Sequence, residues 1–243
     1  MLDALRRRLP RATLIYIGDV AYAPYGERAV SDVVERSHRV VEHLVGLGVR
    51  IVVVACNTAT VLAVQSLRQR WPEMDFVGVE PGVKPAVAAT RTRRIAIMAT
   101  PVTAASARLR HLVDEFASGI HVHIEPCPGL AAAIERGVQD GPGLDAVLAP
   151  LCDHVGAAEV DTVVLGCTHY AFIADAVQRL LGRDVTLIDT SRAVAERVAV
   201  VSGESGAEVA RLRVMSTGAS GTMSAMLRRC HHLEPANIEQ API

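Results

Sequence analysis

Five cysteines punctuate the 243-residue sequence, and two of them, Cys56 and Cys167, stand in echoing surroundings. Residues 51–61 read IVVVACNTATV and residues 162–172 read TVVLGCTHYAF. Each is an aliphatic run, a small residue, the cysteine, a polar residue or two, then a stretch of helical character. Ligands of open α/β sheets bind beyond the carboxyl ends of the strands. Both cysteines fall there, each at an expected helix start. A helix N-terminus carries roughly half a positive charge, which favours an anion. The two thiols are therefore expected to have pKa values drawn down from about 8.5 towards neutrality. Asn57, Thr58 and Thr168 can cap those helices, or join their backbone N–H groups in holding a carboxylate. Two thiols in mirrored positions suit a symmetric task. Racemisation is one: a base takes a proton from one face of a carbon and an acid returns one to the other face, the roles exchanging with direction. Thiols serve because both their forms are populated near neutral pH.

The elements that must position these residues follow from hydrophobic patterning. Short runs rich in Val and Ile read as strands at 14–18, 51–55, 76–79, 95–99, 122–125, 162–165, 185–188 and 212–215. Amphipathic stretches at 2–9, 30–47, 58–70, 103–116, 146–155 and 171–181 read as helices. Strand followed by helix, repeated, predicts an α/β fold with mostly parallel sheets. The echo around the cysteines extends further. VGVEPG with Glu80 matches VTLIDTS with Asp189, and IAIMATPVT with Thr100 matches LRVMSTGAS with Thr217. This internal repeat predicts two pseudo-symmetric three-layer units facing each other across a cleft. Residues 1–79 with 189–243 are expected to form the first lobe and 80–188 the second. The tail from Glu234 to Ile243 is expected to fray.

Composition narrows the function classes. Net charge is −1 and aromatics are 3%, so the basic footprint of a nucleic-acid binder is missing and the core is expected to be aliphatic. The Arg6–Arg8 cluster reads as a solvated helix face. The cysteines form no zinc-type pair, and no metal is expected. A lone cysteine is ordinarily a small buried hydrophobe, the reading kept for Cys127, Cys152 and Cys230. Charge from Asp3 onward argues against a signal peptide, and no apolar run approaches the roughly 20 residues a bilayer needs. A cytoplasmic protein with reduced thiols is expected.

Together, APYGER (23–28), VACNTAT (54–60), EPGVK (80–84) and VLGCTHY (164–170) closely resemble the motifs of glutamate racemases, in the aspartate/glutamate racemase superfamily. IAIMATPVT, CPGLAAAIERG (127–137) and LIDTSRAVA fall in the same order, so the resemblance runs from residue 14 to about 218. It implies cofactor-independent, metal-free interconversion of L- and D-glutamate, supply of D-glutamate for peptidoglycan and the cell wall, and a homodimer. Cys167 would take the proton from L-glutamate, assisted by His169, and Cys56 the proton from D-glutamate. Pro24, Tyr25 and Gly26 would line the pocket. Asn57, Thr58, Thr100, Thr103 and Thr168 would bind the two carboxylates, and Glu135 matches an acidic position near the site.

Two departures are visible. Family members open with a strand ending in Asp-Ser-Gly, a tripeptide found nowhere in this sequence, so a sheet short of one strand and a pocket short of one wall are expected. Ala171 also follows GCTHY where proline is usual. Four readings stay open: an active glutamate racemase, a non-catalytic or impaired relative that binds small dicarboxylates, a racemase of aspartate or another amino acid, and a thiol redox protein. The last is disfavoured by the wide cysteine spacing.

Overall fold

The computed structural model describes residues 1–203, 211–234 and 237–243. All the strands read from the sequence form: β1 (Thr13–Gly18), β2 (Ile51–Val54), β3 (Asp75–Gly78), β4 (Arg94–Ala99), β5 (His121–Pro126), β6 (Thr162–Leu165), β7 (Thr186–Ile188) and β8 (Arg211–Ser216). A further strand, β9 (Ile238–Gln240), lies within the tail. The helices are α1 (Leu2–Arg8), α2 (Val30–Gly46), α3 (Asn57–Arg70), α4 (Val83–Ala89), α5 (Pro101–Ala104), α6 (Ala107–Phe116), α7 (Leu130–Glu135), α8 (Gly141–Ala157), α9 (Ala174–Leu181), α10 (Ser191–Ser202) and α11 (Ser220–His231).

Every pairing between described strands is parallel. Strands β5-β4-β6-β7 make one sheet, and β4 at its centre carries Ile95, Ala96, Ile97, Met98 and Ala99 fully buried. A parallel sheet covered by helices on both faces calls for such continuous apolar runs. Asp161 fastens the lower edge of this sheet, accepting from Thr90 Oγ1 at 2.6 Å and from the N–H groups of Arg91 and Thr92 at 2.6 and 2.8 Å. The second unit is divided. Its strands form β1-β8-β9 and, separately, β2-β3. Among the described residues no ladder joins β1 to β2. A cavity of about 850 Å³ is lined by both strands and reaches Asp19, Cys56, Thr168, His169 and Glu135. Aliphatic side chains make the join: Leu14, Ile51, Val53, Val77 and Val79 pack with Leu5 of α1 and Val194, Ala195 and Val198 of α10.

Four expectations need correction. The helix read at 103–116 breaks at residues 105–106, because Ser106 accepts the Leu109 N–H at 3.1 Å and caps a new helix. The tail does not fray where it is described: β9 pairs with β8, and Arg213 holds Glu239 at 2.6 Å, while residues 235 and 236 lie outside the described residues. The third echo does not mark equivalent strands. β4 sits beside the cysteine-bearing β6, whereas among the described residues β8 pairs with β1 and β9 and not with β2. Finally, α4, α7, α10 and α11 were not anticipated. The second echo does hold, since β3 flanks β2 as β7 flanks β6. All five cysteines are free, and among the described residues no helix is long and apolar enough to cross a membrane.

Candidate active site

Cys56 follows β2 and caps α3, its Sγ accepting the Ala59 N–H at 3.5 Å. The expected placement at a helix N-terminus is therefore right, but its expected consequence is not. Burial pushes the Cys56 thiol up to about 11; the Ala59 N–H opposes this, the neighbouring Cys167 adds to it, and Thr58 opposes it. Desolvation of a thiolate outweighs the helix field here, so the resting form is the neutral thiol.

Cys167 follows β6 after Gly166, whose N–H donates to Met98 O at 2.7 Å. A Cβ at residue 166 would meet that same carbonyl at 2.7 Å, so only glycine lets the end of β6 lie this close to β4. No α-helix starts at Cys167, contrary to expectation. The chain makes a turn and a 3-10 segment over Tyr170–Ile173 before α9. A side chain supplies the positive partner instead. His169 Nδ1 lies 3.8 Å from Cys167 Sγ, and His169 Nε2 lies 3.0 Å from Glu135 Oε1 at the end of α7. Burial disfavours a charge on His169, but the Cys167 and Glu135 partners outweigh it and lift its pKa to about 10. A ring with acceptors at both nitrogens is best served by the doubly protonated imidazolium.

That shift has a measurable sign. The folded protein keeps the His169 proton up to about 10, whereas an unfolded histidine releases it near 6.5. The stabilisation is complete below about 6.5 and is lost as pH rises through about 10. Thermal melts should show Tm declining across that window, with a shallower decline in His169→Asn; equal slopes would remove His169 as the cause.

The two cysteine-bearing strand ends meet. Thr168 Oγ1 donates to Ala55 O at 3.4 Å, and the two thiols are near enough to act on each other electrostatically. Thr58 Oγ1 lies 3.0 Å from Thr100 Oγ1 and 3.2 Å from Thr103 Oγ1, and Thr100 donates to Thr103 at 3.0 Å. This buried hydroxyl triangle spans the two sheets. Asn57 is also buried, and its Oδ1 has no hydrogen-bond partner. A buried acceptor left unpaired costs about 1–3 kcal/mol, so Asn57 stands ready for a donor such as an ammonium group. From the segment Pro24–Tyr25–Gly26, Tyr25 lines the cavity. A Cβ on Gly26 would sit 2.6 Å from Thr100 Cβ, so glycine permits this contact across the cleft. Glu27, unanticipated from the sequence, accepts the Gly129 N–H at 2.6 Å.

Of the residues singled out in the sequence, Tyr25, Cys56, Glu135, Thr168 and His169 line the cavity, while Thr58, Thr100 and Thr103 are brought together in the hydroxyl triangle. Glu135 differs in role, because its carboxylate faces His169 and not the hydroxyl triangle. Asp19, Arg36 and Thr217 escaped sequence reasoning as a site feature. An acid just past a parallel strand was a usable signal for Asp19, whereas Arg36 offered none. Among the described residues no group of three or more His, Cys, Asp or Glu side chains is placed to hold a metal ion. The cleft offers two thiols from opposite walls, one paired with an imidazolium, around polar groups suited to a small zwitterion.

Known proteins share this architecture. The family described as Asp/Glu/Hydantoin racemase matches residues 1–198. A glutamate racemase of Pseudomonas paraeruginosa is 42% identical over 198 residues, covering 82% of this chain and 75% of that protein. Glutamate racemase isoform RacE1 of Bacillus anthracis superposes with a TM-score of 0.89 at 26% identity, over 100% of this chain and 91% of that one. Escherichia coli glutamate racemase, solved with L-glutamate and the activator UDP-MurNAc-Ala, superposes with a TM-score of 0.85 at 26% identity, over 98% and 92% of the two chains. With its family matched over most of its length and a relative so close in sequence, the chain belongs to the Asp/Glu/Hydantoin racemase family.

Proposed function

We propose that this protein interconverts L- and D-glutamate without a cofactor, through Cys56 and Cys167 acting as the acid and base on opposite faces of the substrate α-carbon. The observation that carries this reading is the meeting of the two strand ends, with a neutral thiol on one side and a thiol beside a cationic imidazole on the other. In the L-to-D direction Cys167, paired with His169, takes the α-proton, and Cys56 returns one from the opposite face. The reverse direction exchanges the roles. Thr58, Thr100, Thr103 and Thr168 offer hydroxyls to the two carboxylates, Asn57 Oδ1 accepts from the substrate ammonium, and Pro24, Tyr25 and Gly26 wall the pocket. Glutamate is favoured over other amino acids because the similar proteins at 40–42% identity bear the name glutamate racemase.

Residues 1–79 with 189–243 act as one lobe and 80–188 as the other, a division supported by the confinement of β4–β7 to the middle segment. The protein works in the cytoplasm as a homodimer, and its D-glutamate supplies peptidoglycan synthesis; these parts rest on the family resemblance.

The test is incubation with L-glutamate in D2O, followed by proton NMR and optical rotation. Deuterium should enter the α-position while rotation decays to zero. Exchange with aspartate alone would transfer the assignment to another amino acid. With no exchange from either, the chain would be a binding relative and the proposal would fall.

A further inference from the structure

Outside the thiols and hydroxyls, the most completely bonded charged group of the cleft is Asp19, one residue beyond β1. Its carboxylate accepts from Arg36 Nη2 at 2.6 Å and from Arg36 Nε at 2.9 Å. Thr217 Oγ1 donates to it at 2.6 Å, and Tyr25 donates its phenolic hydroxyl. Arg36 is 4% exposed, and its guanidinium lies 4.5 Å from the Tyr22 ring centroid. Thr217 in turn accepts the Ala21 N–H at 3.2 Å. Three separate pieces of chain, α2, the β8–α11 turn and the 22–27 segment, thus converge on one carboxylate.

A lone surface ion pair would need no explanation beyond stability, but this one is placed differently. Tyr25 packs in the same cluster as Cys56, and its neighbour Gly26 touches Thr100 across the cleft. Glu27, the next residue, reaches Gly129 on the far side. The 22–27 segment is therefore a strap over the first thiol that bridges to the opposite wall, and Asp19 is its anchor. Burying a charge pair is costly and often neutral for stability, so its better-attested use is to fix one arrangement among several.

We propose that Asp19, held by Arg36 and Thr217, is a positioning residue that sets the strap over Cys56 and thereby the closed form of the substrate site. The inference deepens the glutamate racemase reading and rests on it for its kinetic consequence. Removing the anchor frees Tyr25 and loosens the Gly26–Thr100 contact, so substrate binding suffers more than the chemical step.

The test compares the parent with a double variant, Asp19→Asn/Arg36→Met, which removes both charges and strands neither. Two readouts are taken: KM and kcat for L-glutamate, and the rate of Cys56 alkylation by iodoacetamide, resolved by peptide mass spectrometry. The expected result is an unchanged Tm to within a few degrees, a fall in kcat/KM on the order of 10- to 100-fold carried mainly by KM, and severalfold faster alkylation. A folded variant with parental KM and parental alkylation rate overturns the proposal. Should the double variant fail to fold, Thr217→Val, which leaves the ion pair in place, decides in the same way with smaller changes. If the parent itself turns over no amino acid, the racemase reading fails, while the alkylation rates still decide whether Asp19 anchors the strap.

Discussion

Cys56→Ser and Cys167→Ser are each expected to lower racemisation by on the order of 10³-fold or more, the scale on which a positioned acid or base contributes. Serine keeps the shape but holds its proton far more tightly than a thiol, so it can neither remove the α-proton nor exchange roles near neutral pH. The two variants should not be silent in the same way. With Cys56 replaced, Cys167 and His169 still face one side of the α-carbon, and slow deuterium entry into L-glutamate should persist without inversion. With Cys167 replaced, the surviving slow exchange should be into D-glutamate. Separate wash-in experiments on each enantiomer, read by NMR, check this. Normal turnover in either variant, or residual exchange from the same enantiomer in both, would refute the two-thiol mechanism.

His169→Asn is expected to have the next largest effect, about a 10²-fold fall in kcat/KM, because it removes the cation beside one thiol. The two enantiomers have equal free energies, so kcat/KM must fall equally in both directions. The asymmetry appears elsewhere. Proton removal by Cys167 becomes more strongly rate-limiting, so the isotope effect with α-deuterated L-glutamate should grow more than that with the D-enantiomer. Glu135→Gln keeps the ring in place but weakens its charge, and a loss of about tenfold is expected, at the low end for a group acting through its neighbour. Glu135→Gln should also shift the alkaline limb of the pH–rate profile to lower pH, because Glu135 is one of the two partners that hold the His169 proton. An unchanged kcat/KM and isotope effect in His169→Asn would mean that the 3.8 Å contact with Cys167 plays no part in proton transfer.

Much of this architecture was legible in the residues, and the reasons for the rest are specific. The Val- and Ile-rich runs located β1 to β8 because buried parallel strands tolerate little else. Helix α7 (LAAAIE) was hidden by brevity and alanine content, which give no periodic stripe, and β9 by its three-residue length. The echo around Cys56 and Cys167 pointed to two strand ends that the fold brings together. It did not reveal the protonation preferences of the thiols. The field of a helix terminus is a local property readable from sequence, whereas desolvation depends on what the whole fold packs around the sulfur. The 3-10 turn after Cys167 likewise replaced an expected helix, and the imidazole two residues later took over the electrostatic part. The His169–Glu135 contact joins residues far apart in sequence and came within reach only through family resemblance. The Asp19–Arg36 pair had no such guide, since a buried ion pair between a strand end and a helix leaves no spacing pattern.

The interrupted sheet has one more consequence. Cys56 follows β2 and the Asp19 anchor follows β1, and among the described residues no backbone ladder sets the distance between them. That distance depends on a seam of aliphatic side chains, Leu14 against Ile51 and Val53 with α1 and α10 behind them. Such a seam has no register to defend, and its grip weakens on cooling as apolar association does. Cys56 therefore stands across an apolar joint that slackens in the cold, while Cys167 follows a strand knit into its sheet through β4.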